Sequence, residues 1–248
     1  MSQTMRTLIG VIIVIALIAG GVFLYATRPL EEASEDIQEN TQRLDEATAE
    51  ASASSSIYRI NQDESRVEFN IDEVLAGRDN TVVGATNQVA GDILLNTDNP
   101  SESEVGQIRI NARTFQTDTS RRDNAIGRFI LQSETDEYEF IEFVPTSVDG
   151  LPETVAVGDT VDLSVTGDLT IKGTTNEVTF NGQATLESEE RLVGSFETTV
   201  LYPDFSLSIP SVPSVSGVSD EVILKIDFVA LRVGDSAVSE VTTEANDA

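Results

Sequence analysis

The chain contains neither histidine nor cysteine, and its only lysines are Lys172 and Lys225. Without histidine there is no imidazole general base, and without cysteine there is no thiolate nucleophile and no disulfide. The same two absences exclude a zinc site built on cysteine and histidine. They leave the compartment open, because exported proteins need not use disulfides. Positive charge is scarce as well: 15 basic residues stand against 43 acidic ones, a formal net charge of −28. A surface of that sign repels phosphate backbones, so nucleic acid is not an expected partner, and direct adhesion of the folded part to anionic lipid is disfavoured. The acidic excess serves solubility and is consistent with a salty habitat. Among 43 carboxylates some pair always falls at a glycosidase-like separation, so paired acids do not identify a hydrolase. No D-x-[DN]-x-[DN]-G loop is present to build a calcium site. The expected protein is therefore not an enzyme and requires no cofactor or metal.

What the chain does have begins with Leu8 to Ala26, nineteen residues without a charge. As a helix this run spans about 28 Å, enough to cross a hydrocarbon core. Arg6 precedes it and Arg28 is followed at once by Glu31, Glu32, Glu35 and Asp36. This weak positive-inside bias leaves the N-terminus in the cytoplasm and the remainder outside. Residues 1–27 are thus expected to be an uncleaved membrane anchor; a cleaved signal peptide, releasing a secreted protein, is the alternative. Residues 28–56 are acidic, rich in Ala and Ser and without an aromatic residue, and are expected to form a solvated linker or stalk. Leu30, Ile37, Leu44 and Ala51 recur every seven residues, with Ala33, Asn40 and Ala47 three places later, a weak coiled-coil seam. The tail, 235–248, is expected to be disordered.

Between these appendages, residues 57–234 alternate. In Val161 to Phe180, the side chains of Val161, Leu163, Val165, Leu169 and Ile171 oppose Asp162, Ser164, Thr166, Asp168 and Thr170, and Val178 and Phe180 resume the pattern beyond a turn at Gly173. Eight such strands are expected, near 57 to 74, 81 to 95, 105 to 115, 140 to 149, 160 to 172, 176 to 187, 191 to 202 and 221 to 233. One short helix interrupts them, with Asp123 as N-cap ahead of Asn124 to Leu131. No βαβ repeat is present, so the fold class is all-β, an antiparallel eight-stranded barrel behind an N-terminal transmembrane helix. Such a barrel either fills itself with side chains or keeps room for one small ligand, and periodicity does not separate the two.

These segments, taken in order, resemble one family. In the YceI-like polyisoprenoid-binding proteins a G-x-L-T-I-x-G-x-T-x-x-V-x-F hairpin recurs, which Gly167, Leu169, Thr170, Ile171, Gly173, Thr175 or Thr174, Val178 and Phe180 fit. Tyr58, Arg59 and Ile60 followed by Ser65 to Ile71 resemble its opening strand, and Val83 to Leu95 its next pair. Ile108 to Asp123, IRINARTFQTDTSRRD, carries a strand, a Phe-x-Thr turn and an Arg-Asp pair in the family's order. Tyr138 to Phe143 stands where the family has Y-P-x-I-x-F, except that Glu139 replaces the proline. The family's histidine is also absent here. The resemblance spans about Ile57 to Val233.

It implies an elongated lipocalin-like barrel that holds an isoprenoid chain lengthwise. The residues expected to line the tunnel are Phe69, Ile71, Ile108, Ile110, Phe115, Phe129, Phe140, Phe143, Leu169, Phe180, Phe196 and Phe228. Arg121 and Arg122 suit a pyrophosphate or quinone headgroup, or alternatively form a structural pair with Asp123. Thr114 and Thr117 bond the headgroup or shape the turn. The segment Tyr202 to Gly217, with three prolines, is either a lip over the cavity or an ordinary connection. The expected function is binding of an isoprenoid lipid, a quinone or polyprenyl phosphate, on the extracytoplasmic side of the membrane, for storage, transport or stress protection. A solid barrel acting as an interaction module without lipid is the alternative.

Overall fold

Each alternating segment has one apolar face to hide, and hiding all of them at once curls the sheet. A computed structural model describes residues 36–44, 54–211 and 215–234. In chain order these hold a single helical turn α1 (Ile37–Asn40), then β1 (Ser55–Ile60), β2 (Arg66–Leu75), β3 (Arg78–Thr86), β4 (Val89–Ala90), β5 (Asp92–Asn96), β6 (Glu104–Val105) and β7 (Ile108–Asn111). A short helix α2 (Ser120–Ala125) leads into a π-type turn, Ile126–Ile130. The remainder is β8 (Phe140–Asp149), β9 (Thr160–Ile171), β10 (Thr174–Ser188), β11 (Arg191–Leu201), β12 (Val215–Ser216) and β13 (Glu221–Arg232).

All the pairings are antiparallel. β7 through β11 pair in succession, and β11 pairs β13 along its length. The other edge of β13 is shared: Val222 to Asp227 pair with β2, and Ala230 to Arg232 with β1. β2 pairs β3, and β4, just beyond β3, pairs β7. The chain running from β3 into β4 thus links the two flanks of the pairing path, and the result is a curled all-β sheet of the lipocalin-like kind, with the core inside the curl.

Thirteen strands among the described residues stand where eight were expected, and all but one of the extra strands come from breakage. The expected first strand is split by a 3-10 turn, Gln62–Glu64, which the Asn61 side chain caps by accepting from the Asp63 N–H at 3.0 Å. The second is split at Asn87-Gln88 and at Gly91, where an added Cβ would lie 2.5 Å from Ile108 Cδ1. The third breaks at Gly106-Gln107, and β12 is a short addition within the 202–217 segment. The β9–β10 hairpin turns on Lys172 and Gly173, at φ 49° and 72°. Two successive positive φ values make the tight turn whose twist matches its strands.

The helix starts earlier than expected, because its cap is Thr119 and not Asp123. Thr119 is extended at φ −144°, and its side chain accepts from the Arg122 N–H. Asp123 lies inside the first turn, where its carboxylate accepts from the Thr117 N–H at 2.7 Å and the Thr117 hydroxyl at 2.6 Å.

The run Leu8 to Ala26, the tail 235–248, and the seam positions Leu30, Ala33, Ala47 and Ala51 lie outside the described residues. No helix among the described residues is long and apolar enough to cross a membrane. Part of the expected linker, 36–44, packs on the sheet: Ile37 is fully buried, Gln38 Nε2 donates to the Ile60 carbonyl at 2.9 Å, and Leu44 packs on Gly106. Arg43 joins Arg59 on the buried carboxylate of Asp92, at 3.3 Å and 2.9 Å.

Candidate ligand-binding cavity

The inward faces do not meet. They enclose a cavity of about 580 Å³, within the size range of small-molecule sites. Its wall includes Phe69 and Ile71 from β2, Ile108 and Ile110 from β7, Phe115, Phe129 from the π turn, and Phe143 from β8. Leu169 of β9, Phe180 of β10, Phe196 of β11 and Phe228 of β13 also line it, so eleven of the twelve expected residues are in the wall.

Phe140 is not in the wall. Ile141 and Phe143 line the cavity, and alternation turns Phe140 to the opposite face, where the Arg109 guanidinium sits 3.9 Å from its ring centre.

The lumen stays open because several rings lie flat on glycine. Phe69 is directly opposite Gly84, and Phe228 opposite Gly194. A Cβ on Gly84 would come within 2.2 Å of the Phe69 ring, and one on Gly194 within 2.5 Å of the Phe228 ring. With any larger partner each ring would be pushed toward the cavity axis. Edge-to-face contacts, Phe69 with Phe115 at 5.3 Å and Phe143 with Phe180 at 5.1 Å, hold the rings against the wall.

The segment whose role the sequence left open contributes to the wall through Tyr202, Phe205, Leu207, Ile209, Pro210, Val215 and Val218. β12 pairs Val215 with Leu75 and Ser216 with Val74, which fixes this segment beside the β2–β3 hairpin. Its spacing of Phe205, Leu207 and Ile209 was the available signal. Burial, with the Asp220 carboxylate nearby, holds the Tyr202 phenol above its usual range, so the hydroxyl remains a donor.

Few polar side chains reach the cavity: Glu68, Glu73, Ser103, Arg122, Tyr202 and Lys225. Of the expected headgroup residues, only Arg122 does so. Arg121 is exposed and outside the wall. Thr114 shares a hydrogen bond with the Thr86 hydroxyl at 2.6 Å and donates to the Asn111 carbonyl at 2.8 Å. Thr117 is tied to Asp123, so both threonines shape turns. Glu73, inward on β2, escaped the sequence reading because a carboxylate breaks an otherwise apolar pattern.

Glu139 is not at the cavity but explains its own departure from the family pattern. Its carboxylate pairs with Arg113 at 2.9 Å and accepts from Asn111 Nδ2 at 2.9 Å, with both charged side chains almost wholly buried.

Two solved structures share this architecture. BcnA of Burkholderia cenocepacia aligns with a TM-score of 0.53 and 17% identity over 68% of this chain and 98% of its own. A polyisoprenoid-binding domain from Saccharophagus degradans, implicated in plant cell wall breakdown, aligns with a TM-score of 0.53 and 16% identity over 72% of this chain and 98% of its own. At these identities the likeness is one of fold. No curated protein matches the chain. A family model described as a YceI-like domain matches residues 58–230, well over half of the length, and the chain belongs to that family.

Proposed function

We propose that this protein is a membrane-anchored, extracytoplasmic binding protein that holds an isoprenoid lipid, a quinone or a polyprenyl phosphate, along its cavity, for storage, transport or stress protection. The observation that carries the reading is the cavity itself, about 580 Å³ and walled by aliphatic and phenyl side chains from strands on every side of the curl. Such a wall suits a hydrocarbon chain, because burial contributes about 0.8 kcal/mol per methylene without specific polar chemistry. About ten buried carbons therefore offset the several kcal/mol that association costs. The YceI-like domain is a binding-protein fold, and one structural relative is described as polyisoprenoid-binding. The uncharged run Leu8 to Ala26 is the proposed anchor, keeping the cavity close to its lipid source. The alternative, a solid interaction module, calls for side chains that meet at the centre, and the open lumen speaks against it.

The test is purification of the full chain from membranes of its native host, extraction with organic solvent and mass spectrometry of the extract, beside the Phe180→Arg variant. A stoichiometric isoprenoid in the wild type, lost from the folded variant, is the expected result. A folded wild type without lipid, which also fails to take up added quinone or polyprenyl phosphate, would overturn the proposal.

A further inference from the structure

Along β2 the inward positions run Val67, Phe69, Ile71 and then Glu73. The Glu73 side chain is only 8% exposed, yet it borders the cavity beside the hydrocarbon side chains of Phe69 and Ile71 on the same face of β2. Two donors converge on one of its oxygens: Asn80 Nδ2 at 2.9 Å and Arg122 Nη2 at 3.3 Å, both to Oε1. Among the described residues no hydrogen bond ends on Oε2. Arg122 is also engaged on its outer side, where Nη1 pairs with Asp118. One guanidinium therefore serves two carboxylates, and the cluster carries a net negative charge within a protein that is itself strongly negative. Val215 and Val218 of the segment beside the β2–β3 hairpin line the same end of the cavity, so this cluster is a polar station at that end.

We infer that Glu73 and Arg122 select the headgroup of the bound isoprenoid, favouring an uncharged headgroup that carries a hydroxyl over a phosphate. The inference rests on the isoprenoid reading above and narrows it. A hydroxyl donates to Oε2 of Glu73 while its own oxygen accepts from Arg122, so both polar groups of the station gain a partner and no charge is added. A phosphate brings further negative charge beside two carboxylates and finds the one guanidinium already shared. Its desolvation is not repaid. Arginine alone at a cavity mouth suggests an anion site; the buried carboxylate on its inner side reverses that preference.

Equilibrium dialysis of the full chain in detergent, against a prenyl alcohol and against the monophosphate of the same alcohol, tests it. The alcohol is expected to bind about tenfold tighter or better, and Glu73→Gln to bring the ratio close to one by raising phosphate affinity about tenfold, the equivalent of removing one nearby charge. Should Glu73→Gln fail to fold, Asp118→Asn changes the exposed carboxylate on the same guanidinium, 66% accessible, and is expected to shift the ratio in the same direction. Phosphate bound as tightly as alcohol by the wild type, or a ratio that neither variant moves, would overturn the inference while leaving the isoprenoid reading intact. If neither compound binds, the isoprenoid reading fails and the inference falls with it.

Discussion

The buried Glu139–Arg113 pair and the Tyr58 hydroxyl show what single residues contribute. Glu139 and Arg113 are 1% and 2% exposed at their side chains, so removal of either partner leaves a charge with no solvent. Arg113 also donates through Nε to the Ser133 carbonyl at 2.6 Å, tying the segment after α2 to the turn that follows β7. Tyr58 is buried, and its hydroxyl donates to the Glu189 carbonyl at 2.9 Å. Burial raises its phenol above the usual range, opposed by the Arg232 guanidinium and reinforced by Glu190 and Glu189. The neutral form is thus favoured by folding. Its contribution is fully present below the unfolded value of about 10 and is lost as pH rises through the higher folded value. Thermal melts taken from about pH 7 to about pH 11 should show a fall in stability beyond pH 10. In Tyr58→Phe that fall should flatten, at a cost of about 1 kcal/mol near neutrality. An unchanged alkaline profile in the variant would assign the fall to other groups.

At the scale of elements, strand parity was legible in the sequence and helix and strand limits were less so. The β9–β10 hairpin lies where alternation and Gly173 put it, because both signals are local. Phe140 and Phe143 cannot share one face of a regular strand, and the alternation through Ile141 decides for Phe143. Asp123 is a plausible cap in sequence, yet its carboxylate is taken by Thr117, and Thr119 caps instead. The heptad spacing through Ile37 hinted at helix, but the docking of α1 was hidden, since its neighbours are acidic and Ala-rich and its binding surface is made by distant strands. Ile37 is the apolar group that docks it. Ile37→Ala should release residues 36–44 from the sheet, with a loss of about 2–4 kcal/mol in local stability. Hydrogen exchange would report this as faster exchange confined to α1 and its contacts on β4 and β7; uniform acceleration across the sheet would mean that α1 is part of the global fold.

At the scale of the whole molecule, charge dominates. A net charge of −28 repels itself over the compact surface, and the screening length shrinks from about 10 Å at 0.1 M salt to about 3 Å at 1 M. Screening should relieve that repulsion more than it weakens the buried pairs, which salt does not reach. The melting temperature is therefore expected to rise between those two salt concentrations. A fall would show that exposed ion pairs such as Lys225–Glu197, 3.3 Å apart, contribute more than the repulsion costs.

Composition and alternation by themselves determined that this chain makes antiparallel strands, and which side chains of each strand face together, because parity along a strand is a local property. Eleven of the twelve side chains that the resemblance put in a tunnel do stand in the wall, but they are a minority of its residues. Tertiary structure decided that the interior is hollow, since this depends on which residue lies across from each phenylalanine, and register between strands joins residues far apart in the chain. Gly84 beneath Phe69 and Gly194 beneath Phe228 let those rings lie flat, as larger partners would not. The β2–β3 hairpin set Asn80 opposite Glu73, and the nonlocal placement of α2 brought Arg122 to that carboxylate, making a polar station that no stretch of sequence contains on its own.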